Sequence, residues 1–484
     1  MSELTATRLR WTDNLDTIDL RALALAGIAL SIAFRLAFGM DAPLWLDETF
    51  TGAIAAAPDF AAWLSWSLSE LSGPAYYFPL WVWEKLAGES NVALRLPSLA
   101  ASIAAPIFVW RYGHRDRDVR MVWAALLALW FPGLEYATEA RPYAWLLLLG
   151  AAQASAFFHM ATLPGARAAL PWAIVTALAI LTKYYALPIA GLQALGYLVL
   201  QRGAAWRAWP AALVFVPVAA WSAVHLPFVL RIMSPTHAWF ASWSVGELLG
   251  AFTSIVGAGF LGGPLLALIG WRLRAMTRAE QALALSALGA MAFVFALALL
   301  RPSFTPRYLI PYVPALLATL AIVLVRLDWR RDFAIRAVLA VFASAVLITG
   351  VLRLGEPRFD RRYGFNFEEP TAWLRARPVD RLIFLWDNPT ASAGDPARLA
   401  EVGSYFFRRS GQSVPTIVPA LPATADPNIA LAALATRPGD AILWAYDVNV
   451  PATRGARFPA KLQHAFDCRD FGRGGIIVLA CRQR

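Results

Sequence analysis

The chain has 484 residues, of which 59% are apolar and 13% aromatic against only 15% charged. Soluble domains carry about a quarter charged residues, so a water-soluble enzyme is excluded; disorder, a collagen-like chain and a disulfide scaffold fail too, with only two cysteines present. The net charge of +11 suggests nucleic acid only until membrane topology has taken its share of the basic residues.

In chain order, apolar runs long enough to cross about 30 Å of hydrocarbon fall at 18–38, 92–110, 119–134, 142–161, 168–182, 185–200, 208–230, 247–271, 279–300, 308–326 and 333–352, or about eleven spans. The first is no signal peptide, because Asp13, Asp16 and Asp19 precede it and no small-residue cleavage site follows. With the N-terminus cytoplasmic, the inner loops hold Arg8, Arg10 and Arg21, then Arg111, Arg115, Arg117 and Arg120, then Arg167, Arg202 and Arg207, then Arg272, Arg274 and Arg278, and finally Arg326, Arg330, Arg331 and Arg336. The short outer loops hold fewer: Lys85, Arg95, Arg141, Lys183, Arg231, Arg301 and Arg307. This positive-inside asymmetry also divides Pro171 to Leu200 into two short spans with Lys183 at the outer crest, since a single crossing there inverts every later loop. Residues 1–352 thus read as a membrane domain.

From 353 to 484 the pattern changes to strand-length runs (Leu382–Trp386, Ala441–Ala445, Ile476–Ala480) alternating with helix-like stretches (Pro396–Arg409, Asn428–Thr436). This predicts a small α/β domain on the outer, periplasmic side. Cys468 and Cys481 flank the turn Gly472 to Gly475 of a terminal hairpin; they read either as a disulfide in an oxidising compartment or as two unpaired strand cysteines.

The first outer loop, 39–91, is too long for a connector, and its tryptophans at 63, 66, 81 and 83 suggest helices lying in the interface. Such a loop suits a lipid-linked substrate. Within it, Leu44-Trp45-Leu46-Asp47-Glu48-Thr49 sets two adjacent carboxylates against an apolar flank. Repulsion and partial burial predict that one of them has a pKa raised toward general-base range; helix N-capping by Asp47 is the other reading. In Glu139-Ala140-Arg141-Pro142-Tyr143 an acid precedes an arginine at a helix start, which reads as a local ion pair or as a phosphate site. Lys183 and Arg307 each stand beside tyrosines, Tyr184 and Tyr308. Alone, each reads as a snorkelling anchor; three cations on one membrane face point to an anionic lipid headgroup.

Taken together, Trp45-Leu46-Asp47-Glu48, Gly88-Glu89-Ser90 with Leu94-Arg95-Leu96-Pro97-Ser98, Glu139-Ala140-Arg141-Pro142-Tyr143, Thr182-Lys183-Tyr184 and Pro306-Arg307-Tyr308-Leu309 resemble the GT-C glycosyltransferases over residues 18–352. The similar branch is that of the protein O-mannosyltransferases, the aminoarabinose transferases and the lipopolysaccharide galacturonosyltransferase-like proteins. The resemblance implies inverting transfer of a sugar from a polyprenyl-phosphate donor to an envelope glycan, lipid or protein on the outer face of the bacterial inner membrane. It implies Asp47 as base on the acceptor hydroxyl, Glu48 as its orienting neighbour and Glu139 as the second-loop acid. Arg141, Lys183 and Arg307 are implied to hold the carrier phosphate, with Lys85, Tyr143, Tyr184 and Tyr308 as candidate supporting residues. Relatives often carry a His-Pro-Pro-like run where this chain reads Ser72-Gly73-Pro74-Ala75-Tyr76-Tyr77, so a divalent metal is unsupported. No phosphate-cradling glycine loop or metal-ligand spacing is found, as expected if a lipid donor carries the energy. The alternative is a transporter or flippase of a lipid-linked glycan, which predicts midplane charges and inverted repeats. Apart from Arg35, the spans carry almost no charge and no repeat is evident. A silent scaffold would have lost the acids. Nucleic acid is not an expected partner.

Overall fold

The structure, a computed structural model, describes residues 20–37, 39–232, 243–256, 270–271, 273–301, 304–327, 331–355, 366–387, 396–419, 436–447, 462, 464–472 and 475–484. Arg8, Arg10, the acids Asp13, Asp16 and Asp19, the run 257–269, Arg272, Arg330 and the stretch 428–435 lie outside the described residues.

Helices coincide with the apolar runs. They are α1 (Leu20–Ala37); α2 (Leu46–Ala55), α3 (Phe60–Ser67) and α4 (Pro74–Ala87) in the first outer loop; then α5 (Asn91–Tyr112), α6 (Arg117–Ala128), α7 (Pro132–Ala137), α8 (Tyr143–Thr162), α9 (Ala166–Thr182), α10 (Leu187–Gln201), α11 (Val216–Ile232), α12 (Val245–Val256), α13 (Arg278–Leu300), α14 (Val313–Val325) and α15 (Arg331–Gly355). Local chemistry marks several of their starts. Ser90 Oγ accepts from Ala93 N at the head of α5, Asp116 Oδ1 from Asp118 N at the head of α6, and Pro74 opens α4.

Among the described residues, seven helical stretches are long and apolar enough to cross a bilayer, fewer than the eleven runs. Two causes account for the difference. The stretch Tyr184–Arg231 is 48 residues long, about 72 Å if straight, yet Tyr184 Oη lies 2.9 Å from His225 Nδ1. It therefore doubles back through short turns at 202–215, where Arg202 adopts a positive φ of 48°, and gives two crossings. The helices α6, α9 and α12 are each shorter than a full crossing; Val122 to Ala128 of α6 are all completely buried and have neighbours instead of lipid. At the centre stands α14, apolar on every side and buried at every residue.

Arg35, in α1, is buried with no acidic partner in its hydrogen-bond set. Its guanidinium donates to Ser102 Oγ at 2.8 Å and to the Ala128 carbonyl at 3.1 Å, at the end of α6. The break between α6 and α7 frees carbonyls inside the bundle, and Arg35 satisfies one of them.

The loop 39–91 forms three helices whose aromatic side chains pack on one another. Trp63 lies between Phe60, tilted at 30° (ring centroids 5.2 Å), and Phe78, edge-on (5.4 Å), and Trp81 Nε1 donates to the Ala57 carbonyl at 2.8 Å. Phe60, Phe78 and Leu86 stay exposed.

The C-terminal part holds α16 (Glu368–Leu374), β1 (Arg381–Asp387), α17 (Pro396–Arg409), β2 (Thr416–Pro419), β3 (Asp440–Asp447), β4 (Phe466–Asp470) and β5 (Ile476–Gln483). The sheet order is β2-β1-β3-β5-β4. β1 runs parallel to β2 and β3, and β5 is antiparallel to β3 and β4. Alternation divides its side chains: Leu382 and Phe384 join the core beneath α17, while Ile383 and Leu385 join Trp444 and Phe466 on the other face. Cys468 and Cys481 stand opposite each other in register on β4 and β5 and form a disulfide.

This domain docks on the first loop. The Leu44 amide donates to Glu368 Oε2 at 3.3 Å, and Asn91 Nδ2 donates to the same atom at 2.9 Å. Arg409 Nη1 donates to Asn91 Oδ1 at 2.6 Å. Phe50 and Ile54 of α2 share one core with Phe367, Tyr405 and Phe406. Gly52 makes the fit possible, because a Cβ there collides with the buried Tyr405 ring and hydroxyl. Gly52→Val is therefore expected to loosen the domain by about 1–3 kcal/mol, seen as faster hydrogen exchange in β1 and β3. Unaltered exchange would contradict the docking.

Candidate active site

The two adjacent acids part company on α2. Trp45 is the N-cap and Glu48 occupies the third position, where its Oε2 accepts from the Trp45 amide at 3.3 Å. Glu48, not Asp47, thus closes the helix start. Glu48 is fully buried and paired with Arg95 of α5, through Nη2–Oε2 at 2.6 Å and Nε–Oε1 at 2.8 Å. It also accepts from the Ala140 amide at 2.7 Å, so one carboxylate ties together α2, α5 and the turn before α8. Arg95 in turn donates to the carbonyls of Met40, Ala42 and Pro43. Both Glu48 oxygens are thus taken up by protein donors, and the side chain is completely buried.

Asp47, one residue earlier, faces a group of cations. Its Oδ2 lies 3.1 Å from Arg307 Nη1 and 3.5 Å from Arg141 Nη2. Arg141 Nη1 also donates to the Asp47 carbonyl and to Thr51 Oγ1, both at 3.1 Å. Burial raises the Asp47 carboxyl, but Arg141, Arg307 and Lys183 outweigh it and hold the group below the ordinary carboxylate range. The sequence expectation of a raised carboxyl is corrected at Asp47, where the three cations outweigh burial.

Lys183 completes the group. The Ser72↔Lys183 bridge and the Gly73 amide, which donates to the Thr182 carbonyl at 3.0 Å, fix the crest after α9 against the first loop. Gly73 is required there, because a Cβ meets the Leu181 carbonyl. Lys183 Nζ sits 4.8 Å from the Tyr308 ring centroid and 5.9 Å from that of Tyr143, and donates to Ser72 Oγ at 3.4 Å. Burial, then repulsion from Arg141 and Arg307, push its pKa down to about 7 against the opposing pull of Glu70 and Asp47. The Arg307 guanidinium lies over Trp45 (5.6 Å) and Tyr143 (5.7 Å).

Of the residues singled out in the sequence, Asp47, Arg141, Lys183, Arg307, Tyr143 and Tyr308 come together. Glu139 is buried one turn away, its carbonyl accepting from the Arg141 amide at 2.8 Å; the arginine side chain goes to Asp47, so the two do not form the local ion pair. Lys85 is not in the group: it is exposed at the end of α4 and pairs with its neighbour Glu84 at 2.7 Å. Tyr184 turns the other way, to His225 of α11, and closes the helical hairpin. Trp45, Thr51 and Ser72 were missed as site residues. Trp45 and Thr51 lie within one helical turn of Asp47, which is the signal that was available. Ser72 offers none, because its place follows from a pairing between segments 111 residues apart.

The donor set does not fit a divalent metal. A single carboxylate ringed by three cations attracts an anion, and among the described residues no three His, Cys, Asp or Glu side chains converge.

No protein-family model and no curated protein sequence matches the chain. Solved structures do, and they give it the fold of the GT-C membrane glycosyltransferases, in a multi-pass helical membrane protein with a C-terminal α/β domain. It is similar to ArnT from Cupriavidus metallidurans in the apo state, with a TM-score of 0.55 and 14% identity over 98% of both chains. The same protein bound to undecaprenyl phosphate gives 0.55 and 13%, covering 94% of this chain and 97% of that one. The archaeal oligosaccharyltransferase AglB from Archaeoglobus fulgidus, in complex with an inhibitory peptide and a dolichol-phosphate, gives 0.50 and 11%, covering 96% and 74%.

Proposed function

We propose that the protein is an inverting glycosyltransferase that moves a sugar from a polyprenyl-phosphate donor to a hydroxyl of an envelope glycan, lipid or protein. The observation that carries this reading is the single carboxylate, Asp47, held among Arg141, Arg307 and Lys183. The undecaprenyl phosphate in the ArnT complex and the dolichol-phosphate in the AglB complex support a lipid phosphate as the anion. The basic-residue asymmetry supports action on the outer face of the bacterial inner membrane, with a cytoplasmic N-terminus and a periplasmic C-terminal domain.

In this reading Asp47 fills the anion site until the donor arrives. The donor phosphate takes over Arg141, Arg307 and Lys183, and the released carboxylate becomes a stronger base. The acceptor oxygen then attacks the anomeric carbon from the face opposite the phosphate. The new carbon–oxygen bond forms as the sugar–phosphate bond breaks, the acceptor proton goes to Asp47, and polyprenyl phosphate leaves as a dianion stabilised by the three cations. Mass spectrometry of membrane lipids and surface glycans in a deletion strain tests the proposal; loss of one sugar from one acceptor is expected, and an unchanged inventory would overturn it.

Lys183 makes donor binding pH-dependent. A neutral amine cannot pair with phosphate, so binding takes up a proton once the pH passes the free-site pKa of about 7. Affinity for undecaprenyl phosphate is expected to fall by up to about tenfold per pH unit above neutrality. Lys183→Arg should flatten the profile while keeping tight binding. A flat wild-type titration would contradict this role.

A further inference from the structure

At the end of the bundle away from Asp47 lies a second charged site. α5 and α8 carry Arg95 and Tyr143 in their first turns, beside the first one, and Arg111 and Thr162 in their last; α5 alone, with 22 residues, carries the chain about 33 Å. Between these far ends and those of α10, α13 and α14 is a cavity of about 790 Å³, within the range of small-ligand sites.

Its acids are already engaged. Glu280 accepts from the Thr277 amide at 2.7 Å, pairs with Arg326 and lies 3.3 Å from His114 Nε2. Asp116 caps α6. That leaves Arg111, Arg115, Arg120 and Arg278 on the wall with no acidic partner among the described residues, Arg115 donating only to Thr162 Oγ1 at 3.3 Å. Arg120 is half-buried, and its Nε is sealed from solvent without a hydrogen-bond partner. Topology alone asks only that arginines stay on this side of the membrane; it does not ask that four converge on one cavity. The remaining wall includes Phe158, Ala161 and Leu200, and the adjoining helix surfaces expose Tyr112, Leu198 and Val199.

We infer that this cavity binds the phosphate of an anionic membrane lipid, with the four arginines on the headgroup and the apolar wall along the start of the acyl chains. Arginine suits a phosphodiester by its forked donors, and basic pockets between membrane helices are the expected receptors for such headgroups. The site is separate from the proposed donor site and needs no assumption about sugar transfer.

Native mass spectrometry of the purified full chain tests it, with phosphatidylglycerol or phosphatidylcholine added. Wild type is expected to hold one phosphatidylglycerol and to discriminate against phosphatidylcholine. The double change Arg120→Gln with Arg278→Gln should weaken phosphatidylglycerol by at least about tenfold, and Arg120→Lys with Arg278→Lys should recover much of it. The single change Arg111→Gln, at an exposed position, gives the same direction without risk to folding. Inorganic phosphate is the soluble arm: saturable, arginine-dependent binding of phosphate as tight as that of the lipid assigns the same chemistry to a soluble phosphate. Equal phosphatidylglycerol binding by wild type and both glutamine variants, with unchanged melting temperatures, overturns the inference.

Discussion

Asp47→Asn is expected to lower sugar transfer about 100- to 10,000-fold, the range for removal of a general base, while donor binding stays intact or tightens. The second half of this expectation distinguishes the proposal from a general loss of structure. In the resting site the carboxylate neutralises Arg141 and Arg307, so it competes with the donor phosphate for the same guanidinium groups. An asparagine keeps the shape but surrenders the charge, and both arginines become available to the anion. The measurement pairs the activity of complemented deletion membranes with an undecaprenyl phosphate titration of the purified variant. Unchanged turnover sinks the assignment of Asp47 as base. Lost donor affinity alongside lost turnover would instead place Asp47 in the donor site as a structural anchor.

Glu48→Ala should act on folding. It removes the carboxylate that holds the fully buried Arg95 through two contacts; breaking a buried pair from one side costs about 3–5 kcal/mol. It also removes the acceptor of the Ala140 amide. We expect a large drop in melting temperature and little folded protein in the membrane. Glu48→Gln retains an acceptor for Ala140 and should be milder. Replacing both partners, Glu48→Leu with Arg95→Met, should recover stability relative to Glu48→Ala, since no charge is then left unpaired. A Glu48→Ala protein of normal stability but without activity would return Glu48 to the chemistry.

These paired variants expose what the sequence could and could not convey. The apolar runs located the helices because bilayer thickness dictates their length, and the strand pattern located β1, β3 and β5. The hairpin at 184–231 was legible from the apolar runs 185–200 and 208–230 with Arg202 and Arg207 between them, and the split at Lys183 from arginine asymmetry. The acidic pair was conspicuous, but its division of labour was not. Neighbours on a helix point about 100° apart, so one can face a site while the other enters the core, and only the position of Arg95, 47 residues away, decides which. Lys183, read as a phosphate ligand, and Lys85, read as a supporting residue, part in the same way: segment pairing buries one and leaves the other in a surface pair with Glu84.

The docking of the C-terminal domain on α2 carries a temporal consequence. Leu44 and Glu368, which meet across that junction, are 324 residues apart in the chain, a gap of about 16–65 seconds at ribosomal rates of ~5–20 residues per second. Throughout that interval the helix bearing Asp47 has been made but lacks Phe367, Tyr405 and Phe406 as its cover. Its apolar side must then rest on the lipid surface or on a chaperone, so the proposed enzyme becomes competent only after the domain that holds Phe367, Tyr405 and Phe406 has left the ribosome.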